Sequence, residues 1–162
     1  MTTYTPGRVA GIYITSEAGT LPQHVETVRT MAGKGIEGDR YAAGSGTYSQ
    51  HPGGGRHLTL IAQEDLDAVT RETGIHLAPA ESRRNVLTTG AALGDLIGKR
   101  FWVGTTLCVG IRLCEPCSYL ESKTKAGVIA AFAHRAGLRA EILESGAIAV
   151  GDSIRRAEES AA

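Results

Sequence analysis

The sequence predicts a β-rich fold, a closed or partly closed barrel with a few short helices. Short segments of alternating apolar residues recur along the chain, as strands require. Glycine accounts for 21 of the 162 residues and lies dispersed between these segments, where tight turns are expected. Only two segments have a helical pattern. Together these observations favour many short strands over a parallel, doubly wound sheet.

The length of the chain limits the number of domains. A chain of 162 residues leaves little room for a second independent core, and the sequence contains no internal repeat. We therefore expect a single domain over residues 1–162, with a frayed polar tail at residues 157–162.

The strand predictions rest on period-two alternation. Residues 8–15 are apolar on both faces, which is typical of a buried barrel strand. Gly104 joins two strands in a predicted hairpin, and a second hairpin is expected over Ser145 and Gly146. The predicted strands are residues 8–15, 23–31, 56–61, 84–89, 100–103, 105–112, 138–144 and 147–150.

Two helices are predicted. The first covers Gln63–Thr73 and ends at Gly74, because glycine readily adopts the backbone conformation that stops a helix. The second begins at Ser118, where Ser118 and Glu121 have the spacing of a capping box, and continues until Gly137. Both are expected to cover the barrel.

Composition argues against nucleic acid and membrane as partners. The chain carries 17 Lys and Arg residues against 17 Asp and Glu residues, so no bulk positive field exists to attract polyanions. Five Tyr, two Phe and one Trp are too few for a base-stacking surface. No segment approaches the roughly 18 apolar residues of a membrane span, and residues 1–8 lack a signal core. We expect a cytoplasmic protein.

The cysteines indicate reactive or ligating thiols. Three cysteines, two of them in a Cys-x-x-Cys spacing, do not form a disulfide framework in a chain of this length. Cys117 follows a predicted strand and precedes a predicted helix, where the helix dipole and Arg112 favour the thiolate. We predict Cys117 as the reactive centre. Cys114 would resolve an oxidised Cys117, ligate a metal or pack against the site, and Cys108 would fill the core.

Two simpler interpretations of the cysteine pair stay open. Cys114 and Cys117 are small apolar side chains that can fill a core. In the second interpretation the pair supplies two of the four ligands of a zinc site, but the chain has neither a second Cys-x-x-Cys nor a paired histidine spacing. A metal site formed by His57, Cys114 and Cys117 is the alternative that uses a distant histidine.

A set of cations lies in or beside glycine-rich loops and strand ends. Arginine presents a planar fork that grips phosphate or carboxylate by two hydrogen bonds, so these residues predict an anion site. The alternative for each is an ordinary surface charge. Residues 44–55 have no apolar period and predict a loop or a lid over the site. The cations are Lys34, Arg40, Arg56, Arg83 and Arg84.

Several motifs, taken in order, resemble the pattern of MOSC domains, the module at the C-terminus of molybdenum cofactor sulfurases. The match spans nearly the whole chain and is most similar to short, stand-alone bacterial members. The motifs are residues 35–40 (GIEGDR), 83–86 (RRNV), 93–104 (LGDLIGKRFWVG), 114–117 (CEPC) and 137–143 (GLRAEIL), with Gly146 and Gly151-Asp152.

The resemblance implies a MOSC-type barrel in which the reactive cysteine of the family corresponds to Cys117, carrying a persulfide or binding molybdenum. It also implies a molybdenum-pterin cofactor, with Arg83, Arg84 and Asn85 on its phosphate and polar edges. We expect Arg40 and Arg56 to join this cofactor site. A soft thiolate suits a sulfur or metal centre, and fixed guanidinium groups suit a phosphate.

The resemblance implies sulfur transfer, or reduction and detoxification of N-hydroxylated compounds, as the function. The chain lacks the pyridoxal phosphate domain of the sulfurase, so we expect sulfur to come from elsewhere. Cys114 is an extra thiol relative to the family pattern. Two alternatives stay open: a pterin-independent carbon–sulfur lyase that uses the thiolate or a bound metal, and a non-enzymatic redox-dithiol module that docks a partner oxidoreductase. The expected partners are a small-molecule substrate or cofactor, with the protein a monomer or homodimer.

Overall fold

The computed structural model describes residues 7–42, 44 and 56–157. The strands are β1 (Gly7–Ile14), β2 (Gln23–His24), β3 (Thr27–Met31), β4 (Gly35–Ile36), β5 (Leu58–Ala62), β6 (Val86–Thr89), β7 (Arg100–Val103), β8 (Thr106–Leu113), β9 (Leu138–Glu144), β10 (Gly146–Ala149) and β11 (Ser153–Arg156). The helices are α1 (Gln63–Thr73), α2 (Ser118–Lys123) and α3 (Val128–Ala131), with 3₁₀ turns at Ala80–Ser82 and Leu93–Leu96. Residues 45–55 of the predicted loop and residues 158–162 of the predicted tail lie outside the described residues.

Seven strands close into a barrel. Their order around the barrel is β1, β11, β7, β8, β9, β5 and β6, and β6 pairs again with β1. Only β5 and β6 are parallel, and α1 lies in the connection between them. A second sheet, in the order β10, β3 and β4, stands beside the barrel. The prediction of a β-rich barrel with a few short helices is confirmed.

Two apolar clusters stabilise this arrangement. The barrel interior is filled by alternate strand residues, for example Leu138, Ala140 and Ile142 of β9, which are all at most 2% exposed. The second cluster lies outside the barrel, where Ile61 and Leu87 face the helices. Residues between the inward-facing positions of a strand therefore point to the outer face of the barrel wall.

The best-predicted elements are the ones with clear stop signals. The helix over Gln63–Thr73 has the predicted bounds, and Gly74 ends it with a φ of 77°. The predicted hairpin at Gly104 joins β7 to β8. Gly104 has a φ of 58°, and a Cβ there would lie 2.4 Å from Asp152 Oδ2. Glycine is therefore required at this turn.

The prediction of one long helix from Ser118 is wrong. The N-cap of α2 is Cys117, without a side-chain cap, and the helix ends at Lys123. Glu121 does not complete a capping box at Ser118. Its Oε1 instead accepts hydrogen bonds from the N–H groups of Gly127 and Ile129, at the start of α3. This competing use of the carboxylate divides the segment into two short helices.

The second predicted hairpin is also wrong, because its two strands belong to different sheets. β9 pairs with β5 and β8, whereas β10 pairs with β3. The N–H of Gly146 donates to Thr30 Oγ1, and a Cβ on Gly146 would lie 2.4 Å from the carbonyl oxygen of Thr105. At the C-terminal end, the N–H of Ala157 donates to the carbonyl of Arg100, so this first residue of the predicted tail is paired. None of the described helices has both the length and the apolar character that crossing a bilayer requires.

Candidate functional site

A cavity of about 260 Å³ lies against the outer face of the barrel wall. Thr59 of β5 and Arg139 of β9 are paired in register, and both side chains line it. Two segments form its other sides: the cation wall, residues 83–85, and the thiol wall, residues 114–117. The structure thus brings together two thiols and five cations, of which four were predicted and one, Arg139, was not. The cations are Arg40, Arg56, Arg83, Arg84 and Arg139.

The three cysteines have different surroundings. Cys117 is half-buried, lines the cavity and packs against the outer apolar cluster. Cys114 also lines the cavity but is only 1% exposed. Cys108 is fully buried in the barrel core, as predicted, and burial raises the pKa of its thiol to about 12. Cys117 is therefore the thiol that a ligand entering the cavity reaches most directly.

Arg83 is held in an unusual conformation that directs its charge into the cavity. Its φ is 61°, in the left-handed region, and its N–H donates to the carbonyl of Ala80. Only 8% of Arg83 is exposed. Nη1 donates to the carbonyl of Thr20 at 2.8 Å, and the guanidinium lies 5.7 Å from the centre of the Tyr119 ring. Burial, followed by the nearby charge of Arg40, lowers the pKa of Arg83 below its usual value.

One atom of Arg83 lacks a hydrogen-bond partner. Its Nη2 is buried and makes no hydrogen bond among the residues that the structure describes. A buried donor without a partner costs about 1–3 kcal/mol, and more when the group is charged. An anion in the cavity would supply the missing acceptor.

Arg84 and Asn85 are occupied by the protein itself. Arg84 Nε donates to the carbonyl of Ala136 at 2.9 Å, and Nη2 donates to the carbonyl of Cys114 at 3.3 Å. Asn85 Oδ1 accepts hydrogen bonds from both the N–H and the hydroxyl of Thr59, and Nδ2 donates to the carbonyl of Tyr13. These two residues fix the walls of the cavity more than they present donors to a ligand.

Arg40 and Tyr41 line the cavity from the loop that follows β4. Arg40 is 5% exposed, and its Nη1 lies 3.2 Å from Asp39 Oδ1. Its guanidinium also lies 4.9 Å from the centre of the Tyr41 ring. Asp39 accepts further hydrogen bonds from the N–H groups of Thr15 and Tyr41, which fixes the loop. Lys34 is exposed and does not line the cavity, so its assignment to the cation set is wrong.

The predicted metal site of His57, Cys114 and Cys117 is wrong. His57 Nδ1 accepts a hydrogen bond from the N–H of Ile142, whereas the N–H of Cys114 donates to the carbonyl of Gly137. Five residues of extended chain, about 17 Å, separate these two points along β9. In the described part of the chain, no three His, Cys, Asp or Glu side chains are arranged to hold a metal ion.

Glu115 is the sole carboxylate among the described residues that line the cavity. Its Oε1 accepts a hydrogen bond from the N–H of His134 at 2.7 Å, and its Oε2 lies 2.9 Å from His134 Nδ1. With five arginines and one carboxylate among its described lining residues, the cavity is strongly cationic in a chain whose formal net charge is zero. Such a site selects anions.

Sequence comparison identifies the family. A model described as the MOSC domain matches residues 47–155. The chain belongs to the MOSC domain family. No match was found among curated proteins.

Solved structures show the same MOSC fold at low identity. The YuaD protein of Bacillus subtilis superposes with a TM-score of 0.78 at 17% identity, over 98% of this chain and all of that chain. YiiM of Geobacillus stearothermophilus gives 0.72 at 15% identity, over 96% of this chain and 77% of that chain. YiiM of Escherichia coli gives 0.68 at 18% identity, over 96% and 72%. These likenesses concern the fold alone.

Six residues that line the cavity of this MOSC domain were not among the predicted site residues: Tyr41, Thr59, Glu115, Tyr119, Leu120 and Arg139. Arg139 had a readable signal, because it is a charged residue between Leu138 and Ala140 in an alternating strand and must point to the outer face. Tyr119 had none. Its place beside Arg83 depends on where α2 begins relative to the cation wall, which is a tertiary contact.

The residues of the cavity fit the phosphate and the sulfur- or metal-bearing end of a pterin cofactor. The buried and unpartnered Nη2 of Arg83 suits a phosphate oxygen, and the thiol of Cys117 suits a soft metal or a sulfur atom. A volume of about 260 Å³ lies at the small end of ligand pockets, so only one end of such a cofactor would fit inside it.

Proposed function

We propose that this MOSC-domain protein binds an anionic, sulfur- or metal-bearing ligand, a molybdenum-pterin cofactor, through Cys117 and the arginines of the cavity. Its activity would be sulfur transfer, or the reduction of N-hydroxylated compounds. One observation carries the proposal: Cys117 lines the same cavity as Arg83, whose Nη2 is buried without a partner among the described residues.

The energetics of Arg83 favour an anionic ligand. A buried guanidinium is costly unless it is paired, and here two neighbouring arginines, Arg40 and Arg84, add repulsion. The Tyr119 ring offsets part of this cost. A phosphate oxygen bound at Nη2 would form a charge-assisted hydrogen bond, which is about twice as strong as a neutral one.

The residues divide into groups with separate tasks. Cys117 would hold the sulfur or metal end of the ligand, because a thiolate is the soft donor of the cavity. Arg83 would hold the phosphate, while Arg40, Arg56 and Arg139 surround the ligand with positive charge. When bound, the cofactor would supply the redox chemistry at its metal. The chain's own residues bind, orient and partly shield the ligand.

The redox-dithiol alternative has less support. A dithiol module cycles between two thiols and a disulfide and must exchange with a partner, yet Cys114 is only 1% exposed. A pterin-independent carbon–sulfur lyase would use the same cavity and thiolate. Turnover of thioether substrates by protein free of molybdenum would favour that alternative.

The test is chemical analysis of protein purified gently under anaerobic conditions. We expect molybdenum or cyanide-labile sulfur, together with phosphate, in stoichiometric amounts in the wild type. Cys117→Ser should lose the molybdenum or labile sulfur. Cys108→Ser is the matched control, because Cys108 lies in the barrel core away from the cavity.

Two outcomes would contradict the proposal. Wild-type protein without molybdenum or labile sulfur, even after incubation with a polysulfide or a molybdenum-pterin extract, would remove its basis. Equal loading of the wild type and Cys117→Ser would show that another group holds the ligand.

A further inference from the structure

We propose that His134 is a positioning residue that holds the Glu115 carboxylate away from the cavity arginines and so keeps the cavity available to an anion. The inference rests on the proposed function, because it concerns how a site for an anionic ligand tolerates a carboxylate in its own wall. Glu115 stands between the two cysteines of the thiol wall.

Glu115 lies next to an arginine but does not pair with it. Arg84 Nη2 is 3.3 Å from the carbonyl oxygen of Cys114, which belongs to the peptide group that joins Cys114 to Glu115. A Glu115 side chain that turned toward this guanidinium would form a charge-assisted pair with it. Among the described residues, no salt bridge links Glu115 to an arginine, and its contact is with His134.

His134 makes two contacts with this one carboxylate. Its N–H donates to Oε1 of Glu115 at 2.7 Å, and its Nδ1 lies 2.9 Å from Oε2. The backbone N–H and the ring of His134 therefore each contact a different oxygen of the carboxylate. A single surface contact would leave the glutamate side chain free to rotate, whereas two contacts to one residue restrict it.

The backbone of His134 is strained. Its φ is 64°, and within the described residues only Arg83 shares a positive φ without being glycine. This left-handed conformation is unfavourable for a residue with a Cβ. Such strain is found where a particular side-chain position is needed. Both strained residues serve the cavity: Arg83 lines it, and His134 holds its carboxylate.

Release of Glu115 would change what the cavity binds. A carboxylate that turned toward Arg84 or Arg83 would occupy donors that an anionic ligand needs, and it would repel the ligand's own negative charge. We expect the affinity for an anion to fall by about 3- to 10-fold. A tenfold loss corresponds to about 1.4 kcal/mol. Glutamine at position 115 would carry no charge and would compete much less.

The experiment is a double-mutant cycle with inorganic phosphate as the probe, measured by calorimetry. His134→Gly keeps the backbone N–H, removes the ring and relieves the strain at a φ of 64°. We expect His134→Gly to weaken phosphate binding, Glu115→Gln to bind at least as tightly as the wild type, and the double variant to match Glu115→Gln. His76→Gly is the matched control, because His76 is exposed and does not line the cavity.

The cycle separates positioning from a general structural effect. Unfolding midpoints of the four proteins check that each is folded under the conditions of the titration. Unchanged phosphate affinity in His134→Gly would overturn the inference, and so would an equal loss in the Glu115→Gln background. If Arg83→Gln binds phosphate as tightly as the wild type, the anion site itself is wrong, which is a failure of the proposed function and not of the role given to His134.

Discussion

The cation wall is held by side-chain hydrogen bonds at each of its three residues, whereas the thiol wall is held through the backbone of Cys114 and the carboxylate of Glu115. The side chains of Arg84 and Asn85 donate hydrogen bonds to backbone carbonyls of neighbouring segments, and Arg83 donates to the carbonyl of Thr20. In the thiol wall, the backbone of Cys114 is bonded on both sides, but Cys117 opens a helix of six residues. The cavity thus combines a preformed anion site with a thiol at the start of a short helix.

This difference has a chemical rationale. Preformed donors bind an anion without paying to reorganise, which is how charged sites gain strength. A half-buried thiol that lines the cavity stays within reach of a ligand or a sulfur donor. Four predictions test this comparison, beginning with the largest effect.

The first prediction concerns the order of thiol reactivity. At pH 8 a thiol with a pKa of about 12 is roughly 10⁻⁴ ionised, about a thousandfold less than an ordinary cysteine, so Cys108 should be the slowest. Cys117 should react first and Cys114, which is 1% exposed, more slowly. Iodoacetamide alkylation followed by peptide mass spectrometry measures each rate. Faster alkylation of Cys114 than of Cys117 in single Cys→Ser variants between pH 5 and 9 would make the assignment of the reactive centre wrong.

The second prediction concerns the rigidity of the cation wall. Asn85→Ala leaves the N–H of Thr59 and the carbonyl of Tyr13 without side-chain partners. At about 1–3 kcal/mol for each unsatisfied group, we expect a loss of about 3 kcal/mol in the free energy of unfolding. Urea denaturation measures it. Thr59→Ser keeps the hydroxyl and should cost less than ~1 kcal/mol, and an equally small loss in Asn85→Ala would mean that this wall is not held as described.

These residues also show where sequence reasoning reached its limit. The two arginines and the asparagine of the cation wall are all predicted to bind the cofactor, because each side chain suits a phosphate or a polar edge. Sequence cannot distinguish Arg83, with a buried donor left over, from Arg84, whose donors reach the carbonyls of Ala136 and Cys114. That distinction depends on segments 30 to 52 residues away along the chain.

More of the fold than of the site could be predicted from the sequence. Helix α1 and the turn at Gly104 were predicted because their signals are local: an apolar stripe with a glycine stop, and a glycine between two alternating strands. The predicted pairing of β9 with β10 was wrong because Ser145 and Gly146 have the composition of a hairpin turn. The N–H groups of Gly146 and Ala147 instead donate to the hydroxyls of Thr30 and Thr105, which are distant in the sequence. The capping box predicted for Glu121 was wrong for the same reason, because its carboxylate accepts hydrogen bonds from the start of α3.

The third prediction contrasts adjacent arginines. Arg84→Gln should lower the free energy of unfolding by about 1–2 kcal/mol, because two hydrogen bonds to carbonyls are lost. Arg83→Gln should cost less, since it also removes a buried charge beside Arg40. For inorganic phosphate the order reverses, and Arg83→Gln should lose more affinity. Calorimetry and urea denaturation of both variants provide the comparison, and the same order in both measurements would contradict the division of tasks.

The fourth and smallest effect is a pH dependence at His57, the residue that anchors the start of β5 to β9. Burial lowers the pKa of His57 below its usual 6.5, and the nearby charge of Glu141 offsets part of this. The unfolded chain therefore takes up a proton near pH 6.5 while the folded protein does not, so this contribution to stability is present above pH 6.5 and is lost as the pH falls through that value. The loss stops growing once the pH is below the pKa of the folded state. His57→Asn retains an acceptor for the N–H of Ile142 but cannot titrate, so its unfolding free energy should fall less between pH 7.5 and pH 5 than that of the wild type. Urea denaturation across this range measures both curves, and parallel curves would mean that His57 is not held neutral in the folded protein.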